Sequence, residues 1–159
     1  MITRILLDTN ILIYREDNKV VDESIQELLK TLNDPQYHIL IHPLSINKIK
    51  GDKNPEKREI VLFKINSYPT ITHYPLFTDD GEFKRIINPK ENNSHDYVDN
   101  CLLYAILKDE ASFLITEDEG IHKKASKLNE IEENFSDRIF TVSEALEHFT
   151  INLPVLHIQ

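Results

Sequence analysis

ILLDTNILIY, residues 5–14, begins as an apolar strand and breaks off at an acid. Ile2, Ile5, Leu6 and Leu7, with Arg4 among them, suit a core strand over 2–7, and a helical turn follows from Thr9 to about Glu16. Asp8 stands at the junction. A carboxylate is costly to bury unless something pairs with it. Asp8 therefore either caps the following turn or belongs to a cluster that holds a cation.

Outward from this stretch the pattern alternates strand and helix. Residues 20–33 carry Val21, Ile25, Leu28, Leu29 and Leu32 at helical spacing. YHILIH, 37–42, is a second strand, and Pro43 opens a short helix to Lys50. NPEKREIVLFKINSY continues as a helix with Ile60, Phe63 and Ser67 along one side. Residues 68–93 hold Pro69, Pro75, Gly81 and Pro89 and predict loops around short elements. SHDYVDNCLLYAILKDE is a helix with Val98, Leu102, Ala105 and Ile106 on its apolar face. A strand at 111–116, a helix at 118–128, a strand at 138–142 and a helix in SEALEHF complete the chain. Strands alternating with helices of this length predict an α/β fold with a mostly parallel sheet.

A chain of 159 residues predicts one domain, burying roughly 70% of its unfolded surface. The single cysteine, Cys101, allows no internal disulfide and fits a reducing compartment; its apolar helical setting predicts a core position. No apolar run approaches the ~20 residues of a membrane span. MITRILL lacks the parts of a signal peptide. The expectation is a soluble cytoplasmic protein without a membrane role. A formal net charge of -9 argues against nonspecific coating of nucleic acid. It leaves open an enzyme whose acids hold metal. The basic residues are grouped, Lys48, Lys50, Lys53, Lys57 and Arg58 in one set and Lys84, Arg85 and Lys90 in another, with Lys123 and Lys124 adjacent. A solvated charged surface is the commoner explanation of such groups, and a binding role the rarer one.

In parallel α/β sheets, ligands sit beyond the carboxyl ends of the strands. Asp8 and Asp118 both fall there, so two acids distant in sequence can meet. Asp96 and Asp99, three apart on a helix, share a face. Carboxylates brought this close raise each other's pKa unless a cation compensates. Oxygen ligands of this kind suit Mg²⁺ or Mn²⁺, and no Cys/His spacing for zinc is present. A carboxylate-held pair of divalent ions activates water for phosphodiester hydrolysis without a histidine base. Structural roles compete at each position. Asp8 can cap its turn, Thr116-x-x-Glu119 matches a capping box, and Asp96 is favourable first-turn charge on a helix that Ser94 caps. The cluster of two strand-end acids and an inward helical acid favours the metal site over these.

Other chemistries fit less well. Asn10 stands where a haloacid-dehalogenase-type phosphatase needs a second Asp and a von Willebrand-type site needs Ser. The three glycines form no phosphate loop. His95 and His122 fall near the acids, with surface or helix-end roles expected.

With these residues assembled, the sequence resembles the PIN-domain nucleases. LLDTNILI is similar to their opening motif, and DNCLLYAILKDEASFLITEDEGIHKKA is similar to their second half. The resemblance implies a three-layer α/β/α, PIN-like domain over residues 1–150, followed by a tail or linker at 151–159. It implies Mg²⁺- or Mn²⁺-dependent endoribonuclease activity on single-stranded RNA. By that likeness Asp8, Asp99 and Asp118 hold metal, with Asp96 an additional member, and Thr9, Asn10 and Thr116 support them. The family places a Glu on the helix after the second strand. Here Asn47 and Lys48 occupy that place, and Asp52, one turn on, is the candidate substitute. Lys48, Lys50, Lys53, Arg58 and Lys123 are the candidate RNA contacts. The rival expectation is a catalytically silent PIN-like module that binds RNA or a protein, favoured by Lys48 and the acidic charge. A DNA flap-type nuclease is a third. NLPVLHIQ packs on the domain, joins a homodimer or links to a further domain, the first being preferred; an antitoxin-like partner is not visible in this chain.

Overall fold

A computed structural model describes residues 1–12, 19–51 and 53–151. Four short strands form one sheet: β1 (Thr3–Leu7), β2 (Tyr37–Leu40), β3 (Phe113–Ile115) and β4 (Ile139–Phe140). Their order is β2-β1-β3-β4 and every pairing is parallel, with Ile5 opposite Ile39 and Phe113, and Leu114 opposite Ile139. Among the described residues seven α-helices connect and follow them: α1 (Lys19–Thr31), α2 (Pro43–Lys50), α3 (Pro55–Ile65), α4 (Gly81–Ile87), α5 (Ser94–Leu107), α6 (Glu119–Leu128) and α7 (Val142–Ile151). The molecule is a mixed α/β fold on a parallel sheet. No helix among the described residues is long and apolar enough to cross a membrane.

Ile5, Leu6 and Leu7 are consecutive and fully buried, as are Leu114 and Ile115. Successive strand side chains point to opposite faces, so both faces of these strands are covered. That is why they read as unbroken apolar runs. Leu6, Leu114 and Ile139 belong to one apolar cluster with Phe83 of α4, Leu102 and Ala105 of α5, and Ala125 of α6. Ile5, Leu7, Ile115 and Phe140 belong to a second, with Leu28 of α1, Val61 and Ile65 of α3, and Phe149 of α7.

Several local expectations are corrected. The second strand ends at Leu40; Ile41 makes only an isolated parallel bridge to Thr70, accepting the Ile71 N–H and donating to the Pro69 carbonyl. Residues 68–93 contain α4, capped by Asp80, whose Oδ1 accepts the Phe83 N–H. An aromatic group holds this region down: Phe83 meets Phe77 at 5.3 Å and Tyr104 at 4.8 Å between ring centroids. Asn93, not Ser94, caps α5, its Oδ1 accepting the Asp96 N–H at 2.9 Å. The expected capping box at Thr116 does not form; Thr141 and Glu144 make one instead at α7, each accepting the other's backbone N–H. On α3 the side carrying Ile60 and Phe63 faces outward, and Val61 and Ile65 supply the buried side. Residues 152–159, which include most of the expected tail, lie outside the described residues.

Candidate functional site

The strand order reverses at β1. The chain goes from β1 to β2 on one side and later returns to β3 on the other. Ligands of parallel α/β sheets bind outside the carboxyl ends at such a switch point. Asp8 ends β1 there, its N–H donating to the Ile115 carbonyl at 3.0 Å. The buried Asp8 carboxylate accepts the Asn10 N–H on Oδ1 at 3.2 Å and the Thr116 hydroxyl on Oδ2 at 2.6 Å. Thr116 Oγ1 in turn accepts the Asp118 N–H at 3.1 Å. One hydroxyl thus ties the ends of β1 and β3 together. Thr9 is buried beside it, while Asn10 is exposed and contributes through its backbone.

Asp118 caps α6, its Oδ1 accepting the Ile121 N–H at 3.2 Å. A Cβ on Gly120 would stand 3.0 Å from that oxygen, so the glycine makes room for the carboxylate. Asp8 likewise caps the short 3-10 turn at Thr9–Ile11. The structural and site readings of these two acids therefore coexist.

Asp99, half-buried on α5, differs from both. No described donor bonds its carboxylate. Burial and then the charges of Asp118 and Asp8 push it up to about 6, against the pull of Lys48 and Lys124. Burial also pushes Asp8 upward, opposed by the Thr116 and Asn10 bonds and the Lys48 charge, and Asp118 adds to the rise. Asp8, Asp99 and Asp118 share one field. Asp96 is engaged elsewhere. It accepts Lys124 Nζ at 2.5 Å, the Lys90 N–H at 2.9 Å and the Asn100 amide at 3.1 Å. Burial works against its charge, but these donors outweigh it and hold the carboxyl below its ordinary range. Lys124 also donates to Asn100 Oδ1 at 2.8 Å. Sequence reasoning missed this Asp96–Asn100–Lys124 latch, although the i, i+4 spacing of Asp96 and Asn100 was its signal.

Lys48 on α2 is exposed, and its charge favours the ionised forms of both Asp8 and Asp99. Lys50, Lys53 and Lys123 are also exposed, and Arg58 is half-buried. Asp52 lies outside the described residues. Glu117 accepts the Val142 N–H at 2.9 Å and so serves the start of α7. His122 donates from Nε2 to the Thr116 carbonyl at 2.8 Å, a helix-to-strand tie, and His95 is exposed. Cys101 is fully buried, and burial pushes its thiol up to about 11, which makes it unreactive.

The candidate donors, on Asp8, Asp99 and Asp118, are carboxylate oxygens, the set that suits a hard divalent cation. Asp99 has both oxygens without a described donor, and Asp8 carries one hydrogen bond per oxygen, leaving lone pairs on each. The set is chemically suitable but open. Among the described residues, no group of three or more His, Cys, Asp or Glu side chains is drawn together as a metal cage. Compared with known proteins, the chain matches no family model, no curated protein and no solved structure.

Proposed function

We propose that this chain is a PIN-like, three-layer α/β/α metal-dependent endoribonuclease that hydrolyses single-stranded RNA. The architecture is supported by the two apolar clusters that draw alternate strand residues towards different sets of helices. Asp99 carries the functional reading. A half-buried carboxylate without a donor among the described residues, raised further by two carboxylate charges, costs the fold stability that a bound cation would restore.

Asp8, Asp99 and Asp118 are the residues that would hold Mg²⁺ or Mn²⁺. When bound, such ions supply an activated water and neutralise charge developing on the phosphodiester. The chain's own groups do the positioning. Thr116 fixes the Asp8 carboxylate, the Asn10 N–H holds its other oxygen, and Gly120 leaves space for Asp118. We assign Asp96 a positioning role, through Lys124, in place of direct ligation. Lys48 brings a positive charge to the crevice, where a scissile phosphate would lie.

The test is cleavage of end-labelled single-stranded RNA with Mg²⁺, Mn²⁺ or chelator, alongside Asp8→Asn and Asp118→Asn. Metal-dependent cutting lost in both variants supports the enzyme. Lys48, standing where the family places an acid, favours a second reading: a catalytically silent RNA- or protein-binding module. Absence of cutting together with absence of Mn²⁺ binding by calorimetry would select it.

A further inference from the structure

Helix α3 carries a short apolar stripe that the core does not use. Ile60 and Phe63, three apart on the helix, are 58% and 83% exposed. The helix packs inward through Val61 and Ile65 instead. Apart from Met1, Phe63 is the most exposed large apolar side chain among the described residues. Its surroundings are charged in a particular way. Residues 48–64 carry six basic side chains against three acidic ones, in a chain whose formal net charge is -9. Lys50, Lys53 and Lys64 are exposed, with Glu56 and Glu59 exposed among them. α2, which ends on Lys48 and Lys50, packs on α3. Lys48, at the end of α2, lies close enough for its charge to act on both Asp8 and Asp99, which places the α2 end of this positive hairpin within electrostatic reach of the carboxylates.

We infer that the α2–α3 hairpin is a single-stranded nucleic-acid platform, on which Phe63 stacks a base and Lys50, Lys53 and Lys64 contact the backbone phosphates. Stacking on an exposed aromatic side chain combined with cationic tracking of the backbone is the general physics of sequence-tolerant single-strand binding. The positive hairpin on an otherwise acidic surface also orients an anionic chain towards this edge and away from the rest. The choice of RNA as the strand rests on the ribonuclease reading of the crevice.

The experiment measures binding of a fluorescein-labelled single-stranded RNA by anisotropy in the presence of EDTA, so that cleavage plays no part. Phe63→Ala weakens binding by roughly tenfold, the scale of one lost base stack, and leaves the melting temperature unchanged. Phe63→Tyr retains the affinity, whereas Phe63→Leu does not, because an aliphatic side chain keeps the apolar area but loses the ring. Lys50→Gln and Lys53→Gln each lower the slope of log Kd against log salt by about one. Equal affinity of Phe63→Ala and wild type overturns the inference, as does wild-type protein that binds no RNA. A dimer that Phe63→Ala dissociates in sedimentation would also overturn it, by making the stripe a self-association surface. Binding that follows this pattern without any metal-dependent cutting would defeat the ribonuclease reading and leave the platform standing.

Discussion

Burial opposes the charge of both Asp99 and His42, and the two act on stability in opposite directions. Asp99 sits up at about 6 where an ordinary Asp titrates near 3.8. The folded state thus binds its proton more tightly than the unfolded state, and stability is lost as pH rises between those values. Discounting for its partial exposure, that loss is about 1–2 kcal/mol. Asp99→Asn should accordingly raise the neutral-pH unfolding free energy by about 1 kcal/mol while impairing any metal-dependent activity. Urea midpoints of variant and wild type should converge near pH 4 and separate towards pH 6. His42 is fully buried, accepts the Leu44 N–H on Nδ1, and leaves Nε2 buried without a partner. Burial lowers it from 6.5 to about 4. Here the unfolded state takes up the proton first, so stability present above pH 6.5 is lost as pH falls towards 4, by about 3 kcal/mol. His42→Phe should remove that acid sensitivity, and denaturant titrations across this window would measure it.

Between elements, the Asp96–Lys124 pair joins α5 to α6, with side chains only 8% and 19% exposed. Removing one partner of such a pair strands the other in a poorly hydrated site. Asp96→Ala should therefore cost about 3 kcal/mol, and the double variant Asp96→Leu, Lys124→Met should recover much of it. A double-mutant cycle read by chemical denaturation tests this. If the single and double variants were equally unstable, the pair would owe nothing to mutual compensation. The capping boxes teach the limits of local reading. Thr116-x-x-Glu119 and Thr141-x-x-Glu144 have the same spacing. Only the second became a box, because the Thr116 hydroxyl is spent on Asp8 and Asp118 supplies the cap of α6. That competing bond comes from a residue more than a hundred positions away.

At the scale of the whole molecule, a cation held by the proposed Asp8, Asp99 and Asp118 set would bind only the folded state, so on that proposal metal should stabilise the fold by mass action. At a free Mn²⁺ concentration of 100 times its Kd the gain is about 2.7 kcal/mol. For a chain of this size that raises the melting temperature by roughly 5–10 °C. Asp8→Asn should abolish the shift in a calorimetric scan, and a wild-type shift absent at millimolar Mn²⁺ would count against the metal site. The same scale explains why the site lies where it does. Strand order β2-β1-β3-β4 puts the late strand β3 beside the first, so Asp8 meets Thr116, and through it Asp118, although more than a hundred positions separate Asp8 from both.

What the sequence determined by itself were the periodicities and their interruptions. Apolar runs of strand length alternating with helical spacing led to the parallel α/β sheet, and acids at the strand ends led to Asp8 and Asp118. Local chemistry suffices for these, because strand and helix periods are written in neighbouring residues. Tertiary structure decided three things. It turned Phe63 outward, since Val61 and Ile65 lie nearer the sheet and one helix cannot bury two opposite faces against one layer. Asp96 and Asp99, three residues apart on one helix, were set to different tasks by Lys124, which pairs with Asp96 alone. Finally, it left Asp99 without a donor among the described residues and under the charges of Asp118 and Asp8, because burial and long-range charge depend on which segments converge and not on the residues adjacent in sequence.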